Sequence, residues 1–183
     1  MEKILSVLAV FFFLSGSAQI YKAKDGGTII SFYSKSPLED IDATNKGAIV
    51  VMNTNTSDLQ VRVTIQNFKF KNALMEEHFN ENYLESQKFP NAVFKGKINE
   101  KIDYTKDGDH KVTVTGKMEM HGVTKEETYE GTLSKKGNEI TIKCKFKIKV
   151  ADYGIKVPSL YVKNIAEVVD IDVHTVLEPF VKK

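Results

Sequence analysis

Residues 139–150 read Glu-Ile-Thr-Ile-Lys-Cys-Lys-Phe-Lys-Ile-Lys-Val, and every second residue is apolar. Ile140, Ile142, Cys144, Phe146, Ile148 and Val150 form one row, and Thr141, Lys143, Lys145, Lys147 and Lys149 form the other. A helix would interleave the two rows around its circumference. A strand, whose successive side chains point to opposite faces, keeps them apart. The stretch therefore reads as an antiparallel strand with one face on a core and the other in water.

The same period recurs on either side. In residues 110–121, Val112, Val114, Gly116, Met118 and Met120 alternate with Thr113, Thr115, Lys117 and Glu119, and Gly116 suggests a bend or bulge. Leu59, Val61, Val63 and Ile65 alternate with Gln60, Arg62, Thr64 and Gln66. Val169, Ile171, Val173 and Leu177 alternate with Asp170, Asp172, His174 and Val176. Weaker patterns mark residues 28–34, 48–53, 92–99 and 125–133. Polar and glycine-bearing stretches at 53–58, 107–109 and 135–138 separate strands. That gives about eight strands, a count that suits a barrel or a sandwich.

One stretch changes period. Leu74, Met75, Phe79 and Tyr83 recur at three to four residues, opposite Glu76, Glu77, Asn80 and Glu81. The pattern predicts a short helix over 72–85, capped by Asn72 and stopped ahead of Pro90. Residues 151–164 form a second irregular stretch, with Tyr153, Gly154, Pro158 and Tyr161. No repeat or linker divides the chain, so residues 19–183 read as one domain.

The chain begins with a weakly charged Glu2-Lys3, an apolar run from Ile4 to Leu14 broken only by Ser6, and the small residues Gly16-Ser17-Ala18. This is the layout of a secretory signal, with cleavage expected after Ala18 and a periplasmic or secreted mature chain. The run falls short of the ~20 apolar residues of a membrane-spanning helix. Cys144 is the single cysteine, so no internal disulfide can form, and no cysteine follows the apolar run to carry a lipid anchor. A formal charge of +2 and a single arginine, Arg62, give no case for nucleic acid as a partner.

Two segments together resemble the YceI-like family. The first runs from Leu74-Met75-Glu76-Glu77-His78-Phe79 to Phe89-Pro90 and Phe94-Lys95-Gly96. The second is Val114-Thr115-Gly116-Lys117-Met118 leading into His121-Gly122-Val123-Thr124-Lys125, with Met118 where that family usually has Leu. The resemblance implies an all-β protein, an antiparallel eight-stranded lipocalin-like β-barrel with a helical insertion. It also implies export and the binding of polyisoprenoid or other long-chain amphiphiles inside the barrel.

A barrel of this size either fills itself with side chains or holds one small ligand. Expected ligand-binding residues are Phe32, Val61, Val63, Phe94, Val114, Met118, Phe146, Ile148, Ile171 and Val173 on the strands. Leu74, Met75, Phe79 and Tyr83 of the helix would cover the cavity. His78, Tyr83, Tyr153 and Tyr161 are candidates for a polar head group. For each, plain core packing is the competing reading, because a barrel interior and a solid core look alike in sequence. The expected partner is an amphiphilic lipid, isoprenoid or fatty-acid-like, and a homodimer is left open.

Catalytic readings find little support. No His pair lies within five residues, and HExxH, CxxC, GxSxG and Gly-rich phosphate loops are absent. His174 with Asp170 and Asp172 share a polar, water-facing strand face. No catalytic residue, metal or cofactor is therefore assigned. Two non-enzymatic alternatives stay open: a packed barrel whose outer surface binds protein or carbohydrate, and an outer-membrane barrel. Against the latter, no aromatic girdle recurs, and Lys143, Lys145, Lys147 and Lys149 would crowd a narrow lumen.

Overall fold

The computed structural model describes residues 20–35, 40–156 and 167–181. Ten strands occur among them: β1 (Ile20–Ser34), β2 (Ile41–Asn45), β3 (Ile49–Asn53), β4 (Asp58–Thr64), β5 (Lys69–Phe70), β6 (Asn91–Ile98), β7 (Gly108–Met120), β8 (Val123–Lys136), β9 (Glu139–Lys149) and β10 (Val168–Pro179). Helix α1 (Ala73–His78) and a π-helical turn (Phe79–Tyr83) lie between β5 and β6.

The strands run β1-β3-β4-β6-β7-β8-β9-β10, all antiparallel, and β10 pairs back onto β1. This closes an eight-stranded barrel. β2 and β5 form a side branch. β1 meets β3 only over Ile20–Lys22; its far half, Ile30–Ser34, pairs with β2, which pairs with β5. A register break between Ala23 and Thr28 accompanies this change of partner.

All eight patterned stretches of the sequence are barrel strands, and the apolar rows face inward in register. Ile171 lies opposite Phe146, Val173 opposite Cys144, Val61 opposite Phe94 and Val114 opposite Tyr129. On the outer face, Lys145 pairs with Asp172 at 2.7 Å and Lys147 pairs with Asp170. The Asp170–Asp172–His174 face is thus occupied by cross-strand ion pairs, and among the described residues no group of acids, His and Cys could hold a metal ion.

The structure corrects several boundaries. β1 starts at Ile20 rather than residue 28. Ile65, read as the end of a strand, opens a 3₁₀ turn (Ile65–Asn67). Val150 likewise begins a 3₁₀ turn, Val150–Tyr153. The helix expected over 72–85 is capped as foreseen, with Asn72 Oδ1 accepting from the Leu74 amide at 3.0 Å, but its second half is the π turn. Residues 1–18, read as the signal, and Tyr161 lie outside the described residues.

Candidate functional site

The barrel interior divides into a plug and a chamber. At one end Tyr21, Met52, Leu59, Ile98, Leu133, Ile140 and Leu177 are buried and pack together with Tyr104. This end is solid. Above it lies an apolar chamber of about 540 Å³, within the ~300–1,000 Å³ usual for small-molecule sites.

The chamber wall holds every strand residue expected from the sequence: Phe32, Val61, Val63, Phe94, Val114, Met118, Phe146, Ile148, Ile171 and Val173. It also holds Leu74, Met75, His78, Phe79 and Tyr83 from the helical insertion. Tyr153 is not on the wall: it is buried, and its hydroxyl donates to Glu127 Oε1 at 3.1 Å. Sequence reasoning missed Ile30, Phe68, Phe70, Tyr129 and Ile155, which also line the chamber. Phe68 and Phe70 carry a readable signal, being two apolar residues at strand spacing. Tyr129 follows two charged inward positions, Lys125 and Glu127, that hide the alternation.

An aromatic cluster closes the chamber beneath the helical insertion. Phe79 stacks on Phe32 with ring centroids 5.4 Å apart and meets Phe68 at 5.6 Å and Phe70 at 5.0 Å. Phe32 meets Phe68 at 5.5 Å and Phe70 at 5.7 Å, both edge-on. Such contacts add to what burial alone contributes. Glu76 fastens α1 to β5 by accepting from Lys69 Nζ at 2.5 Å and from the Phe70 amide at 3.2 Å. Those two donors hold the Glu76 carboxyl below its usual range.

The motifs that carry the family resemblance meet in space and build this frame. Gly122 sits at φ +76° in the β7–β8 hairpin, where a Cβ would come within 2.7 Å of the Phe89 ring. The Phe89 and His121 rings lie 4.5 Å apart. His121 Nε2 reaches Glu85 Oε2 at 2.9 Å, and Nδ1 reaches the Tyr153 carbonyl at 3.1 Å. One imidazole therefore ties together the end of the helical insertion, the β7–β8 turn and the Val150–Tyr153 turn.

Thirty-four residues form the chamber wall, and none is Lys, Arg, Asp or Glu. The chemistry available is solvation of hydrocarbon, with polar side chains of Asn72, His78 and Tyr83 toward the helical side. Cys144 is half-buried on this wall; burial pushes its thiol up to about 11, which makes it a poor nucleophile.

Fold and chamber together define a closed antiparallel barrel with an apolar interior of ligand size. The chain matches the YceI-like domain over residues 31–177 and belongs to that family. Among solved structures it is similar to a polyisoprenoid-binding domain from Saccharophagus degradans implicated in plant cell wall breakdown. Identity is 14%, TM-score 0.75, and the match covers 87% of this chain and 98% of that one. It is similar to BcnA of Burkholderia cenocepacia at 18% identity and TM-score 0.71, covering 84% and 98%. It also resembles the Campylobacter jejuni YceI protein at 16% identity and TM-score 0.54, covering 98% and 94%. No curated protein matches the chain.

Proposed function

We propose that this protein is an exported, non-enzymatic carrier that holds an amphiphilic long-chain or isoprenoid lipid in the barrel. One observation carries the reading: an uncharged, apolar chamber of about 540 Å³ persists beside a fully packed plug in the same barrel. Interiors ordinarily close-pack, and an apolar void leaves its lining without contacts. A hydrocarbon guest restores them and gains about 0.8 kcal/mol per buried methylene, partly offset by ordering the chain. Met118 and Met120 can adjust to its shape.

A polar head of such a guest would sit near His78 and Tyr83, by the helical insertion. The family membership and the polyisoprenoid-binding relative support the same ligand class. Export rests on residues 1–18, and the location proposed is periplasmic or extracellular.

Equilibrium titration with retinol, a fluorescent isoprenoid alcohol, tests the reading. Saturable binding at one molecule per barrel, displaced by non-fluorescent long-chain lipid, is expected. Absence of saturable binding would overturn it. The intact mass of the exported protein is expected to correspond to a chain starting at Gln19.

A further inference from the structure

At two seams of the barrel the ladder ends well before the strands do. Where β1 leaves β3, β2 takes over the β1 edge. Where β8 leaves β9, no strand among the described residues takes over. The β8–β9 ladder runs only from Lys136 opposite Glu139 to Gly131 opposite Cys144. Beyond that fork, residues 123–130 of β8 pair with β7 alone, and residues 145–149 of β9 pair with β10 alone.

The split is bounded above and below. At the fork the Cys144 thiol donates to the Glu130 carbonyl at 3.0 Å. At the far end the Val150–Tyr153 turn bridges from β9 back to β8, with Tyr153 bonded to Glu127 and Lys125 Nζ bonded to Asp152 Oδ2 at 2.7 Å. Among the described residues, a pair of rings lies in the space between: Tyr129 and Phe146, 4.0 Å apart, both on the chamber wall. Tyr153, in the same buried cluster as Phe146, donates from its hydroxyl to Glu127 and so joins the turn to β8. At this seam the alternate positions of β8 that face the split are polar: Lys125 and Glu127 each have a partner on the turn.

The helical insertion and the split differ in what must break to open the chamber. Lifting the helical insertion separates the interlocked rings of Phe32, Phe68, Phe70 and Phe79 and both Glu76 bonds. Parting β8 from β9 above the fork breaks no ladder bond. It requires that Tyr129 swing away from Phe146 and that the two side-chain bonds from the turn to Lys125 and Glu127 give way.

We propose that the split between β8 and β9 is the passage by which the amphiphile enters and leaves the chamber, with Tyr129 as its gate and Tyr153 holding the gate closed. This rests on the lipid-binding reading above. A gate sets the rates of entry and exit together and leaves the equilibrium almost unchanged.

Stopped-flow transfer of retinol from phosphatidylcholine vesicles tests it on the full mature chain. Tyr153→Phe removes the bond to Glu127 that ties the turn to β8, and residue 153 is off the chamber wall. Loss of about one hydrogen bond from the closed gate predicts association and dissociation rates both about fivefold faster, with the dissociation constant within twofold. A second variant, Thr128→Cys with Lys147→Cys, places two outward thiols across the split and leaves the buried Cys144, a poor nucleophile, in place. Bridging them with a bifunctional maleimide is expected to slow both rates at unchanged retinol occupancy. Rates untouched by both changes, in a protein that still binds retinol, would overturn the passage. Failure of the wild type to bind retinol at all would instead strike the lipid-binding reading.

Discussion

Gly116 lies directly opposite Gly96 across the β6–β7 ladder, and a Cβ built on Gly116 would stand 2.3 Å from the Gly96 Cα. The neighbours it would meet are backbone, including the Lys95 carbonyl at 2.3 Å, so no side-chain rotation relieves the clash. Beside this contact a Cβ on Gly96 would meet the Phe94 ring at 2.6 Å. The two glycines thus let β6 and β7 draw together and let Phe94 lie flat on the chamber wall. Gly116→Ala is expected to cost about 1–3 kcal/mol, read as a lower urea midpoint at unchanged slope. Wild-type stability would mean the strands have room to part.

Tyr104 tests the solid end of the barrel. Its hydroxyl is buried, hydrogen-bonds no neighbour among the described residues, and its ionisation is pushed up to about 12 by burial. A buried hydroxyl without a partner costs about 1–3 kcal/mol. Tyr104→Phe keeps the ring and removes that cost, so the variant is expected to melt higher than wild type by calorimetry. A lower melting temperature would show that the hydroxyl is satisfied in solution.

Phe146 tests the direction of the strand faces. It lines the chamber and packs on Tyr129. Phe146→Lys loses the ring contacts, at about 3 kcal/mol or more, and sets an ammonium in a wall that has no carboxylate. Unfolding or complete loss of retinol binding is expected. A stable, retinol-binding variant would mean that this row faces water.

Cys144 reports on the chamber through pH. Burial raises its thiol to about 11, against about 8.5 for a free cysteine, so the reactive thiolate is scarce until the pH nears 11. Alkylation by iodoacetamide at pH 8 is expected to run on the order of a hundredfold slower than for a free thiol. The rate should then climb toward pH 11 while the protein stays folded. A rate that already levels off near pH 9 would contradict burial of this thiol.

How far the fold could be read from the sequence depended on which face each strand buries. Ile140 to Ile148 and Val112 to Met120 show one apolar face each, and both are barrel strands with those faces inside. β2 escaped notice because its inward residues include Asn45, fully buried yet polar, whose amide donates to the Thr64 carbonyl at 2.9 Å. β5 is two residues long, too short to show an alternation within itself. The opening of β1 was obscured by Asp25-Gly26-Gly27, where the register shifts and Gly26 takes a positive φ. Alternation also identified inward residues without dividing them: Ile140 and Phe146 sit on the same row, yet one fills the plug and the other faces the chamber. That division depends on how eight strands close and on where Tyr104 and the Phe79 cluster fall, both set by contacts distant in sequence.

The central claim is that the chamber exists to hold hydrocarbon. Native mass spectrometry of the exported protein, purified without detergent and compared with the same sample after organic extraction, tests it most directly. The expected result is a mass increment of one amphiphile per barrel, removed by extraction and recovered in the organic phase as a long-chain or isoprenoid lipid. A single bare-chain mass, together with failure to take up added lipid, would contradict it.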